Sequence, residues 1–169
     1  RIRPPLPQAS LATGIIVGFP GETESQFRQT FDLLAELRLD VAHLARYSSR
    51  PGTVAARRMQ DDVPEEEKDR RFRSLEELQS GIAAGINDRL IGETVEVLVE
   101  GRHTKPGAGK LDAGLPGPAD RWKGRTRTNK LVFLDSPAQL AGQLVPVRIG
   151  WTGPWSMVGE LQLPVTSHP

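Results

Sequence analysis

The sequence predicts an α+β chain in two parts: an α/β fragment joined by an amphipathic helix to a small all-β barrel. Three observations carry this. An apolar run bounded by glycines, Thr13 to Gly18, leads into a capped helix and then a second apolar stretch. Helical spacing follows between Pro64 and Leu90. From Gly92 the hydrophobic period changes from that of a helix to two, and short strands with glycine turns follow.

Each element has its own local reason. Thr13–Gly18 (TGIIVG) has the look of a fully buried strand of a parallel sheet. Phe19-Pro20-Gly21-Glu22 is the turn, and Thr23 with Gln26 three residues later makes a capping box. Phe27, Phe31, Leu34 and Leu37 then share one helix face, and Val41–Tyr47 is the next strand. Strand, helix, strand closes as a right-handed parallel unit. Such a unit is too small to bury both faces of its sheet, so the first part reads as the tail of a larger α/β domain. Pro51 and Gly52 break the pattern. Pro64 suits a first helical turn, Glu65, Glu66 and Glu67 suit its positive end, and Phe72, Leu75, Leu78, Ile82, Ile86 and Leu90 give the helix its apolar stripe. Val95, Val97 and Val99 alternate with Glu96, Leu98 and Glu100. The strands GRTRT, KLVFL, GQLVPVRIG and SMVGELQL complete a small barrel, with a Gly- and Pro-rich insert from Arg102 to Arg121 expected as a mobile loop.

Composition narrows the function. With 37% hydrophobic and 25% charged residues in 169, the chain reads as globular. The net charge of +1 leaves any nucleic-acid signal to local clustering. There is no cysteine, so the chain itself can form no disulfide, thiolate metal site or cysteine nucleophile, and it cannot hold an iron–sulfur cluster by the usual thiolates. No apolar run approaches a membrane span and no signal peptide is visible, so a cytoplasmic location is expected. The first residue is Arg1 rather than Met, which fits processing or a piece of a longer polypeptide.

Two stretches could carry function. The glycines of the GFPGE loop, at the carboxyl end of a parallel strand and just before a helix, would let a backbone approach an anionic ligand. The bland reading is a tight turn with a capping glycine, and residue pattern alone favours it, because neither G-x-G-x-x-G nor G-x-x-x-x-G-K-[ST] is present. The other stretch is RWKGRTRTNK, Arg121 to Lys130, with five cations and no acid. In a strand, Lys123, Arg125 and Arg127 share one face, with Trp122 and Asn129 beside them. The bland reading is a solvated face. Alternation on a barrel favours an RNA backbone, with Trp122 for base stacking and Arg148, Trp151 or Trp155 extending the surface or packing the barrel end. His43, His103 and His168 lack partners at metal-ligand spacing and receive no role, so no catalytic residue or metal ligand is assigned in this chain.

In order along the chain, IIVGFPGETE, YSSRPGT, GRTRTNKLVF, GQLVPVRI and WSMVGEL resemble the C-terminal part of the radical S-adenosylmethionine (SAM) methylthiotransferases. The branch that modifies a ribosomal-protein aspartate typically carries acids where this chain has Arg50-Pro51 and lacks the TNK of Thr128–Lys130. Both features point to the branch that modifies tRNA. The chain departs from the family pattern at Gly14 (usually Asp), His43 (usually aromatic) and Ser49 (usually Pro), which bears on the pocket and leaves the barrel untouched.

The resemblance implies that residues 1–60 are the last strands and helices of a radical SAM α/β partial barrel. It implies a connecting helix over 61–91, a TRAM RNA-binding β-barrel over 92–163 and a tail over 164–169. The family's reaction adds a methylthio group to N(6)-isopentenyladenosine next to the tRNA anticodon, using S-adenosylmethionine and two [4Fe–4S] clusters whose cysteines lie upstream of this region. By that implication Gly18, Gly21, Glu22, Tyr47 and Ser48 form one wall of the S-adenosylmethionine pocket. Arg50, Arg121, Trp122, Lys123, Arg125, Arg127, Asn129, Lys130 and Arg148 would contact the tRNA anticodon stem-loop. The partners implied are that RNA and the N-terminal remainder of the same polypeptide, and a fragment of this kind would be inactive alone. The rivals are a stand-alone TRAM-type RNA-binding protein without catalysis, the protein-modifying branch, and a structural adaptor.

Overall fold

The computed structural model describes residues 9–103, 116–118 and 120–162. The tail and most of the 102–121 insert, residues 104–115 and 119, lie outside the described residues. The chain divides into two compact units, Ser10–Ile82 and the residues from Ala83 onward.

In the first unit β1 (Ala12–Val17) and β2 (Val41–Arg46) pair in parallel, from Ala12 opposite Val41 to Val17 opposite Arg46. The intervening α1 (Glu24–Leu37) starts where the sequence places it. Thr23 is extended, its hydroxyl accepts from the Gln26 N–H, and the Gln26 side chain accepts from the Thr23 N–H. The helix ends as Arg38 turns left-handed, its N–H bonded to the Leu34 carbonyl. Phe27 and Leu34 are its buried residues. Contrary to the expected fully buried strand, β1 is covered on one face only. Thr13 and Ile15 are half-buried and Val17 buried, while Ala12, Gly14 and Ile16 are exposed, as are Val41, His43 and Ala45 beside them. Among the described residues nothing covers that second face.

A short helix, α2 (Val54–Arg58), capped by Thr53, follows the Pro51-Gly52 turn. Five residues are too few for periodicity to reveal. The long helix α3 (Glu65–Asn87) begins on its three glutamates as expected. Its inward positions differ from an apolar stripe. Leu75 and Ile82 are buried, but so are Lys68, Arg71, Gln79 and Asn87. Gln79 donates to the Leu39 and Asp40 carbonyls, which explains its place.

In the second unit β3 (Thr94–His103), β4 (Arg121–Thr126), β5 (Leu131–Asp135), β6 (Leu144–Thr152) and β7 (Met157–Leu161) close a barrel in the order β3-β4-β5-β7-β6. Only the β5–β7 pair is parallel. Closure leaves no open edge. Val97, Val99, Trp122, Val132, Leu134, Val145, Val147, Ile149 and Met157 fill the interior. The strand expected over Gly124–Thr128 begins earlier and ends at Thr126. Arg127 and Thr128 lie in the hairpin turn, and Asn129 takes the left-handed conformation (φ 62°) that closes it. The Asn129 N–H donates to the Thr126 carbonyl and the Lys130 N–H to the Thr126 hydroxyl. A three-residue hairpin loop with a left-handed last residue is a standard solution, and asparagine suits that residue.

Candidate nucleic-acid interface and ligand loop

From Trp122 to Arg125 the basic run alternates with strand parity, while Arg121 is buried although it shares the parity of Lys123 and Arg125. Arg121 and Trp122 are each 2% exposed. The expectation that Trp122 stands on the surface as a stacking aromatic is corrected. Its indole lies in the barrel core, donates to the Ser136 carbonyl at 3.1 Å and carries the Arg102 guanidinium 4.2 Å above the ring. Inward and outward positions alternate, so a strand that sends Lys123 and Arg125 out must send Trp122 and Gly124 in. Arg121 is also off the surface. Its Nε donates to the Pro118 carbonyl, and its guanidinium lies over Phe133.

Lys123 and Arg125 are half-exposed on the outer face of β4, and Arg127 is 81% exposed in the turn. They do not form a bare cationic stripe. Neighbouring β3 sends Glu96 and Glu100 to the same outer face. Arg127 pairs with Glu96 at 2.8 Å and Arg125 lies 3.6 Å from Glu100. Arg125 also donates to the Asn129 carbonyl. The alternation of β3 marks both glutamates as outward, but which strand lies beside them is not readable from period. Exposed pairs of this kind contribute about 0–1 kcal/mol.

Lys130 is turned elsewhere. Its ammonium donates to the Asn87 Oδ1 at 2.9 Å, while the Asn87 amide donates to the Gly153 carbonyl at 2.8 Å, a tie between the end of α3 and the barrel. Arg148 is exposed on β6, opposite Thr94 of β3, whereas Arg125 is opposite Leu98. It therefore stands beyond β3 and four residues along it from Arg125. Asn129 is exposed at the turn.

The loop after β1 is the second region. Glu22 N–H bonds to the Phe19 carbonyl at 2.8 Å, with Pro20 second and Gly21 (φ 81°) third, the pattern of a type II turn that needs glycine there. Gly18 is also left-handed (φ 71°), and a Cβ on it would stand 2.3 Å from Lys68 Cγ. The close approach that Gly18 permits is therefore used by the Lys68 stem from α3, not left open for a ligand. Gly21 has nothing within 4 Å of a Cβ position. The Glu22 carboxylate accepts from the Gly18 N–H at 2.6 Å and from Arg71 Nη1 at 2.7 Å. The Gly21 N–H is held by Asp62. Phe19 meets Tyr47 edge to face at 5.1 Å, and Ser48 and Arg50 are exposed.

The charges around this loop are strongly coupled. Lys68 is 1% exposed. Burial works against its charge, but Asp61 and Glu65, both bonded to its ammonium, outweigh that and raise its pKa. For Arg71, burial is likewise outweighed by Glu22 and Glu67. The Arg70 hydrogen bond, with Arg71 adding to it against partial desolvation, lowers Glu67 from 4.5 to about 2. Lys68, Arg71 and Gln79 went unnoticed in the sequence because a charged residue on a helix is ordinarily solvated. Their spacing of three and four residues on the Leu75 face is the one signal that could have found them.

Among the described residues no group of three or more histidine, cysteine or acidic side chains could hold a metal ion. Among them, too, no helix is long and apolar enough to cross a membrane.

No protein-family model matches the chain. Curated relatives do. The chain is 51% identical over 166 residues to the tRNA-2-methylthio-N(6)-dimethylallyladenosine synthase of Chloroflexus aurantiacus, covering 96% of this chain and 32% of the relative. Enzymes of the same name from Dehalococcoides mccartyi strain CBDB1 and Roseiflexus sp. RS-1 are 44% and 46% identical, over 95% of this chain and 35% and 31% of theirs. The chain spans about a third of the length of the curated relatives it matches. Over nearly all of its length, therefore, the chain is homologous to the C-terminal region of the tRNA-2-methylthio-N(6)-dimethylallyladenosine synthases.

Proposed function

We propose that the chain is the C-terminal part of a cytoplasmic tRNA methylthiotransferase, supplying tRNA binding and one wall of an S-adenosylmethionine pocket. The 51% identity to a tRNA-2-methylthio-N(6)-dimethylallyladenosine synthase, over 96% of this chain and only 32% of the relative, carries this reading. The whole enzyme would add a methylthio group to N(6)-isopentenyladenosine next to the anticodon. In this reading the first unit is the tail of a radical SAM partial barrel. Its parallel pair, with the Ile16 face open to solvent, suits a further packed layer supplied by upstream residues, since parallel strands are ordinarily covered on both faces. The five-stranded barrel is the TRAM domain.

S-adenosylmethionine, when bound, supplies the carbon radical and the methyl group. The unobstructed backbone at Gly21 and the Phe19–Tyr47 aromatic pair fit an adenosine-like ligand, with Ser48 at the rim. The two [4Fe–4S] clusters do not fit this chain, which offers no thiolate, so their ligands must come from residues outside it. Lys123, Arg125, Arg127, Asn129, Arg148 and Arg50 are the tRNA-binding residues of the proposal, directed at the anticodon stem-loop.

The test is tRNA affinity measured against salt concentration. Replacing both Arg125 and Arg127 by Ala is expected to weaken binding and to flatten the log–log salt slope by about 0.7–0.9 for each phosphate no longer neutralised. An unchanged affinity and slope would mean that these side chains are merely solvated and paired with Glu100 and Glu96.

A further inference from the structure

The GFPGE loop is held by a buried cation rather than by its own turn alone. Resting on the reading of this loop as a ligand wall, we propose that Arg71 is its positioning residue. Arg71 would keep Gly18–Glu22 in one shape whether or not a ligand is present.

The geometry is specific. Arg71 is 4% exposed and makes two bonds to one residue, Nη1 to the Glu22 carboxylate at 2.7 Å and to the Glu22 carbonyl at 3.0 Å. Its Nε is held by Glu67 at 2.7 Å, so the guanidinium is itself fixed before it reaches the loop. The oxygen of Glu22 that Arg71 holds is the one that accepts from the Gly18 N–H. Gly18 sits at the end of β1, and the Lys68 stem packs against it from α3. The chain of interactions thus runs from α3 through Arg71 and Glu22 to the amide that follows the strand. A second tie, Asp62 to the Gly21 N–H, comes from the segment before the same helix. Glu22 is thereby committed to the loop's own backbone, which leaves the Gly21 and Phe19 side as the part of the wall that can meet a ligand.

This assignment separates positioning from mere stability. If Arg71 acts through Glu22, its removal should release Gly18 without loosening the strand pairing beside it. Backbone amide hydrogen exchange, read residue by residue in the 169-residue chain, distinguishes these. Tyr47 N–H, bonded to the Val17 carbonyl across the β1–β2 pair, is the internal reference. In Arg71→Met the Gly18 amide is expected to exchange faster by on the order of tenfold, with Tyr47 unchanged. The near-isosteric Glu22→Gln should do the same and remains informative if Arg71→Met does not fold. The double variant should add nothing further, and Arg71→Lys should restore part of the protection. Unchanged Gly18 exchange in both single variants would overturn the inference, as would a fall in protection at Tyr47 in step with Gly18. tRNA affinity of the same variants is a separate readout. Absence of tRNA binding by the unaltered chain would count against the proposed function while leaving the exchange result to decide the role of Arg71.

Discussion

Lys130 shows how little a residue's presence in a basic run says about its work. It lies in the same ten-residue segment as Arg127, yet its ammonium reaches inward to Asn87 while Arg127 is almost wholly in solvent. Lys130→Met would leave the Asn87 oxygen without that donor next to a buried amide, and is expected to cost about 1–3 kcal/mol of stability. Chemical denaturation checks the change, and the salt slope of the proposed tRNA binding should stay where it is. Trp122 is the aromatic counterpart. Trp122→Ala removes a core indole together with its bond to Ser136, and an expected destabilisation of about 3–5 kcal/mol would show as a lowered denaturation midpoint.

Among the elements, α3 departs furthest from expectation. Its apolar spacing is correct at Leu75 and Ile82, but the first turns bury an ion network rather than a hydrophobic stripe. The network has an acid limit. Glu67 titrates at about 2 in the folded chain against 4.5 for the free group. A carboxyl whose folded value is depressed adds stability that is complete above the unfolded value and is lost as pH falls through the folded one. Between about pH 4.5 and 2 the contribution of Glu67 should therefore disappear. Thermal unfolding of the unaltered chain and of Glu67→Gln should differ at neutral pH and converge near pH 2. A difference that persists at the acid end would show that Glu67 acts by packing rather than by charge.

At the scale of the whole molecule, the barrel covers its strands within itself and the parallel pair does not. The barrel closes on itself, and it can do so tightly because glycine stands where strands cross. A Cβ at Gly159 would lie 2.5 Å from the Arg148 carbonyl oxygen, and one at Gly124 would lie 2.4 Å from that of Leu98. Gly159→Ala must push backbone against backbone and is expected to destabilise by about 1–3 kcal/mol or more, which calorimetry of the chain would register. The parallel pair instead leaves Ile16 57% exposed opposite Ala45, with Val41 further along the same open face, a face that in the proposed enzyme would be covered by upstream residues.

The sequence by itself determined the main elements and their order, the short α2 and the bounds of β4 excepted, because caps, turn residues and hydrophobic period are local signals. Thr23 and Gln26 start α1 where expected, the parallel strand–helix–strand unit is present, and the period of two from Gly92 becomes a closed barrel. Similarity to the curated relatives runs over nearly the whole of this chain. Tertiary structure decided what each candidate side chain faces. Whether Glu96 and Glu100 lie beside Arg127 and Arg125, whether Lys68 fills the space at Gly18, and whether Arg71 reaches Glu22 across 49 residues all depend on which elements become neighbours. That adjacency arises from packing between segments distant in the chain, and neither charge counts nor periodicity record it.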